Sequence, residues 1–255
     1  MESVSQKAAL FAALHRPGDP LILFNVWDAG SAKAVAEGGA KAIAIGSHGV
    51  AEAHGFGDAE KLPLELALAN AARVVGAVDL PVTVDFEGAY ATEPEAGAEN
   101  VRRLAETGAI GCNFEDQVVG GQGLHPTALQ AERIRAARRA AGSDFFINAR
   151  TDIFLKAKAD THDEAMVEAA LERARAYADA GASGFFAPGL TDLRLLGLLC
   201  AVSPLPVNFI AIPGAPGAAE VAAAGVARIS HGPFPYRAAM KALEAAAREA
   251  HGLTG

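Results

Sequence analysis

PVTVDFEGAYATEPEAGAENVRRLAETGAIGCNFE, residues 81–115, holds one complete strand–helix–strand unit. PVTVDF (81–86) is a short, nearly continuous apolar run, as expected of a parallel strand covered on both faces. EPEAGAEN opens an amphipathic helix over 93–107, with Thr92 read as its cap and Glu95 three residues on completing a capping box. ETGAIG then places a glycine at the helix end just before the next run, AIGCNF (109–114).

The same unit recurs along the chain. Strand-like runs stand at 21–26, 41–46, 144–149, 183–188, 206–211 and 226–231, and further helices are expected at 60–77, 128–141, 163–180 and 236–250. Thr161 is read as the cap of 163–180, with Glu164 as its partner, and DAGASG and AAGVAR repeat the glycine signal. Eight units in 255 residues predict an α/β fold, a (β/α)8 TIM barrel, rather than an open doubly wound sheet. Residues 1–255 are read as a single domain, with an extra N-terminal helix at 2–15 covering the barrel bottom.

Composition narrows the function. Hydrophobic residues make up 51% and charged residues 20%, which supplies a core and excludes disorder. A net charge of −8 disfavours nucleic acid and anionic membranes, so an anionic ligand would need a local cation or metal. Cys112 and Cys200 are too few for a disulfide framework. The uncharged stretch 195–219 is broken by Pro204, Pro206, Pro213 and Pro216, and MESVSQKAAL is unlike a signal peptide, so a cytoplasmic protein is expected.

In such barrels chemistry gathers at the C-terminal strand ends. Here those ends read Asp28, Ser47 and His48, Asp85 and Glu87, Glu115 and Asp116, then Asn148, Arg150 and Asp152. Asp85 and Glu87 are two apart and are expected to share a strand face, as are Asn113 with Glu115 and Asn148 with Arg150. Three acids at one mouth repel each other unless a cation sits among them, and hard oxygen donors suit Mg2+ or Mn2+. Arg150 offers a fixed fork for a carboxylate, or a structural ion pair with the same acids.

At these residues the chain resembles the isocitrate lyase/phosphoenolpyruvate mutase superfamily, through residues 25–58, LPVTVDFEGAY, GAIGCNFEDQ, FFINARTDIFL, FFAPGL and LPVNFIAIPGAP. The resemblance implies bond making or breaking at C3 of a pyruvate-like unit through an Mg2+-stabilised enolate. It implies Asp85 as the acid nearest the metal, with Asp58, Glu87 and Glu115 as companions, several through water. Gly46, Ser47 and His48 match a loop whose N–H groups hold the substrate carboxylate, Arg150 matches the pocket arginine, and Asn208 is a further polar contact or a structural amide. A homo-dimer or homo-tetramer is implied, often with exchanged C-terminal helices, here with the exchanged arm shortened.

One departure is plain. The lyases of this superfamily carry a cysteine on a mobile loop after the fourth strand; here the segment reads QVVGGQGLHPTALQ (117–130). His125 is the candidate replacement acid/base, His231 a second, and Gly120, Gly121 and Gly123 suit a lid. Cys112, inside a strand, reads as a core thiol. The expected activity is a carbon–carbon lyase or decarboxylase acting on a small 2-oxo or 2-hydroxy (di)carboxylic acid. Carbon–phosphorus chemistry on phosphonopyruvate ranks below it, because 117–130 holds no Lys or Arg. A non-catalytic 2-oxo acid-binding protein and a phosphate-binding barrel using IPGAPG and ISHGPF are further alternatives.

Overall fold

The computed structural model describes residues 3–253. The strands are β1 (Leu21–Leu23), β2 (Asn25–Val26), β3 (Ile43–Ile45), β4 (Val82–Asp85), β5 (Gly111–Glu115), β6 (Phe146–Arg150), β7 (Gly184–Phe186), β8 (Val207–Ile210) and β9 (Arg228–Ser230). All pair in parallel, in the order β1-β9-β8-β7-β6-β5-β4-β3-β2. β1 and β2 are one stave interrupted at Phe24: its first half pairs with β9 and its second with β3, which closes the barrel. Eight staves are thus present, as the repeat predicts.

The helices are α1 (Val4–Ala13), α2 (Ala29–Glu37), α3 (Ser47–Ala53), α4 (Leu64–Ala77), α5 (Pro94–Glu106), α6 (Thr127–Ala141), α7 (Glu164–Asp179), α8 (Leu193–Val202), α9 (Ala218–Ala223) and α10 (Phe234–Ala250). No described helix is long and apolar enough to cross a membrane. The glycine signals hold: Gly108, Gly181 and Gly225 adopt φ of 90°, 98° and 95°, the left-handed turn that returns each helix to the next strand.

The cap assignments shift. α5 starts from Glu93 with Pro94 in its first turn, and no side chain caps it, so Thr92 lies outside. α7 is capped by Asp163, whose carboxylate accepts from the Met166 N–H, while Thr161 ends a short 3-10 turn. In both places a residue two positions or fewer closer to the helix supplied the extended backbone that a cap requires.

α1 plugs the barrel at the N-terminal ends of the strands. Ala8 and Phe11 pack with Leu21, Leu23, Ala42, Ala44, Ile110 and Phe146. The Phe11 and Phe146 rings meet edge to face at 5.2 Å, and His15, just past the helix, stacks on Phe146 at 4.3 Å. With this end sealed, only the C-terminal mouth is free to form a site.

Burial, followed by the nearby Arg228 charge, holds the His15 imidazole down at about 3. The unfolded chain takes a proton on this residue below about pH 6.5, whereas the folded plug refuses it until about pH 3. The stability that His15 confers is therefore complete above 6.5 and is lost as pH falls through that window. Urea denaturation should lose about 1.5–2 kcal/mol between pH 6.5 and 5 from this group, and His15→Phe should remove that part of the slope.

Candidate active site

β4 and β5 carry the centre of the site. Asp85 ends β4, and its two oxygens accept from Ser47 Oγ at 2.8 Å and Asn113 Nδ2 at 3.2 Å. The register sets Asp85 beside Asn113, Asn113 beside Asn148 and, two residues nearer the mouth, Glu115 beside Arg150, so adjacent staves bring these side chains together at two successive levels. Asp85, Asn113, Glu115 and Arg150 open into a cavity of about 340 Å³ that also meets Gly46, Ser47, His48, Asp58, Glu87 and Gln117.

Glu87 reaches this cavity by another route than strand alternation. β4 stops at Asp85, and Glu87 sits beyond it with φ +51°, in a turn where Ala89 and Tyr90 are also left-handed. The Glu87 carbonyl accepts from the Glu115 N–H at 2.9 Å, and its carboxylate accepts from the Glu60 N–H at 3.1 Å. Ala59 and Glu60 are left-handed too, so two strained turns brace each other. Glu60 Oε1 accepts from Tyr90 N at 2.7 Å, and the buried Arg133 donates to the carbonyls of Gly88 and Ala91 at 2.6 and 2.8 Å.

The acids are poorly compensated. Burial, then the charges of Asp85 and Asp58, pushes the Glu87 carboxyl up to about 8. Burial likewise pushes Glu115 up, against the pull of Arg150. Burial works against the Arg150 cation, but Glu115 and Asp152 more than offset it and raise its pKa. Arg150 binds Glu115 at 2.9 Å and grips Asp152 through Nε and Nη2 at 2.6 and 3.0 Å. Three of its five N–H groups are thereby used, and the structural ion pair expected as its alternative is present.

Other expectations are redrawn. Gly46, Ser47 and His48 do not form a loop: Gly46 is the cap and Ser47 the first residue of α3, whose N–H groups start at the cavity. Asp58 stands 3.5 Å from His48 Nδ1 and is half exposed. Asn208 does not line the cavity; it is buried in the barrel interior, bonded to Asn148, the Phe209 carbonyl and Ser230. His125 is also buried outside the cavity, its backbone tied to Asp116 and Arg173, and burial with the charges of Arg133 and Arg173 lowers its pKa. His231 contacts the Leu23 carbonyl and the Phe24 ring. Asp116 turns to the helix side, where it accepts from Arg173 and Tyr177 at 2.9 Å each.

Several residues of the site carried no motif. Asn25 accepts from the N–H groups of His231 and Gly232 at 2.9 and 2.8 Å and holds the eighth-stave turn over the mouth. Arg237 lines the rim with Phe234 and lies 3.5 Å from His48 Nε2. Arg228 is a fully buried guanidinium within the barrel, donating to Asn113 Oδ1 at 3.1 Å. Its place inside the strand-like run 226–231, after Val226 and Ala227 and before Ile229, was the available signal.

The donor set can be tested against a divalent ion. Among the described residues no three His, Cys, Asp or Glu side chains converge closely enough to ligate one ion directly. Asp85, Glu87, Glu115 and Asp58 nevertheless border one cavity. That arrangement suits Mg2+, which keeps several waters and takes one or two carboxylates directly; a tight all-protein cage it is not.

Comparison with known proteins gives a consistent picture. The family described as phosphoenolpyruvate phosphomutase matches residues 11–251. A crystal structure from Burkholderia cenocepacia J2315, given the provisional description phosphonomutase, is 51% identical, superposes with a TM-score of 0.95 and covers 97% of this chain and 100% of its own. An uncharacterized protein of Mycobacterium tuberculosis is 36% identical over 239 residues, 93% of this chain and 87% of the relative. The crystal structure of 2,3-dimethylmalate lyase, a PEP mutase/isocitrate lyase superfamily member, is 29% identical with a TM-score of 0.81, covering 99% and 87%.

The Arg133 clamp generates a stability test. Arg133→Met should cost about 3 kcal/mol in urea denaturation, because it strands the Gly88 and Ala91 carbonyls that Arg133 now satisfies. A loss below about 1 kcal/mol would mean that the 87–91 turn holds itself.

Proposed function

The chain belongs to the phosphoenolpyruvate phosphomutase family, within the isocitrate lyase/PEP mutase superfamily, and from that premise we propose that it is a Mg2+-dependent carbon–carbon lyase or decarboxylase of a small 2-oxo or 2-hydroxy (di)carboxylic acid. It is an enzyme of a superfamily of lyases and mutases. The observation that carries the finer reading is the crowding of Asp85, Glu87, Glu115 and Asp58 around one cavity beside Arg150 and the α3 N-terminus.

Asp85 is the direct metal ligand in this reading, held by Ser47 and Asn113, while Glu87, Glu115 and Asp58 act through water. Mg2+ bound there would supply a Lewis acid for the 2-oxygen of the substrate. The chain's own groups do the remaining work. The N–H groups at Ser47 and His48 receive the substrate carboxylate, the Gly46 N–H being held by the Val26 carbonyl at 2.9 Å; the two remaining Arg150 N–H groups face charge developing on the 2-oxygen as an enolate forms, and Gln117, which opens the glycine-rich segment 117–124, borders the cavity. His125 has no part, since its ring lies outside the cavity.

A screen of 2-oxo and 2-hydroxy acids should find Mg2+-dependent release of pyruvate or another 2-oxo acid from at least one compound, with Asp85→Ala and Arg150→Met each lowering the rate by about 100-fold or more. Complete inactivity toward all of them, with Mg2+-dependent binding retained, would turn the reading into that of a non-catalytic 2-oxo acid-binding protein. The 51%-identical relative favours a second reading, carbon–phosphorus chemistry on phosphonopyruvate. Against it, among the described residues the guanidinium groups bordering the cavity are Arg150, largely engaged by Glu115 and Asp152, and the rim Arg237. Phosphate release from phosphonopyruvate would reverse the order.

The assembly proposed is a homo-dimer or homo-tetramer with α10 exchanged. α10 buries only Pro235, and Leu243 is 63% exposed. On the outer face of the first stave, Ile22 and Phe24 are 45% and 44% exposed in a groove of about 550 Å³, where a barrel's eighth helix ordinarily packs. Light scattering should give a multiple of the chain mass, and Ile22→Glu with Phe24→Glu should yield monomers; a wild-type monomer would defeat the exchange.

A further inference from the structure

The far wall of the same cavity has a chemistry of its own. In an eight-stave barrel each stave faces the one four places on, so β3, β4 and β5 face β7, β8 and β9 across the mouth. The acids and the α3 N-terminus belong to the first group. The second group presents Phe186, Pro188, Ile210, Ile212 and Phe234, with Leu155 from the segment after β6. Directly across from Asp85 on β4 stand Ile210 and Ile212, at and just past the end of β8.

Among the described residues, an anionic group of a ligand would find cations at the edges of that wall and none within it. Arg150 borders it, 5.9 Å above the Phe186 ring, but three of its N–H groups are held by Glu115 and Asp152 and the other two are assigned to the 2-oxygen. Arg237 stands at the exposed rim, 5.6 Å over the Phe234 ring and 3.5 Å from His48 Nε2. A carboxylate pressed on these six side chains would lose its water and gain nothing in return. An alkyl chain would gain by burial. The volume of about 340 Å³ leaves room for it, since a water's share of liquid is only about 30 Å³.

We propose that the substrate carries an uncharged apolar substituent on the carbon side remote from its chelating carboxylate, seated against the β7–β9 wall. This rests on the reading of the site as a Mg2+-dependent 2-oxo acid pocket, and narrows the acid from dicarboxylic to apolar-tailed.

Calorimetric titration of the Mg2+-loaded protein with pyruvate, 2-oxobutanoate, 2-oxopentanoate and 2-oxoglutarate tests it; the last two have the same carbon chain and differ in the terminal carboxylate. Affinity should rise about fourfold per methylene, and 2-oxopentanoate should bind at least about tenfold tighter than 2-oxoglutarate. Ile212→Arg, at the half-exposed lip, should reverse that preference while leaving the circular dichroism spectrum unchanged. If 2-oxoglutarate binds the wild type as well as 2-oxopentanoate, or the series is flat while pyruvate binds, the apolar-tail inference falls and the oxo-acid site stands. If none of the four binds with Mg2+, both fall together.

Discussion

The constraint on which the site depends is electrostatic: Asp58, Asp85, Glu87 and Glu115 border one cavity whose guanidinium groups are Arg150 and Arg237. Two unit charges 4 Å apart interact by about 4 kcal/mol at an effective dielectric of 20, so such crowding is costly without a counter-charge. Arg150 answers part of it, holding Glu115 and Asp152. Glu87 receives no cation at all and instead retains its proton to about pH 8. In the proposed reading a positive guest meets this deficit, and hard oxygen donors suit Mg2+.

The barrel makes that crowding affordable by rigidity. Parallel pairing from β3 to β6 fixes the heights of these groups: Asp85 and Asn113 are register partners, and Glu115 and Arg150 pair two residues nearer the mouth. Below them the polar interior is bound to itself: Arg228 and Asn148 both donate to Asn113 Oδ1, and Asn113 passes its own amide hydrogen to Asp85. Asn113 therefore cannot rotate without breaking contacts to three staves. Beneath that layer, the plug formed by Phe11, His15 and Phe146 closes the other end.

The repeat of strand and helix was readable because each unit repeats the same physics: a doubly buried apolar run, an amphipathic stretch and a left-handed glycine. Asp85, Glu115 and Arg150 were readable for the related reason that they sit at strand ends, where alternation still governs direction. Reading failed wherever alternation had already stopped. Glu87 reaches the cavity by a left-handed turn, not by sharing a strand face with Asp85. His125 looked available on a glycine-rich loop, yet it is buried, with its backbone carbonyl bound by Arg173. Asn208 and Arg228 are adjacent across β8 and β9, a pairing no local pattern announces. Arg133 and Glu60, which brace the strained turn, lie 73 positions apart and so leave no trace in spacing.

Strain and charge fall on the same residue, and this coincidence bears on what the site is for. A glycine at position 87 would relieve the left-handed backbone, and a glutamine would relieve the repulsion. Either change lowers a cost in the unliganded protein. Glutamate instead keeps the strained backbone and escapes the repulsion by holding its proton up to about pH 8, and Glu60 and Arg133 are spent on holding its turn in place. Strain of this type persists only where the surroundings over-determine it, and it gathers at sites that act on ligands. The carboxylate of Glu87 is thus best understood in the liganded state, where a cation reached through water would convert its repulsion into attraction.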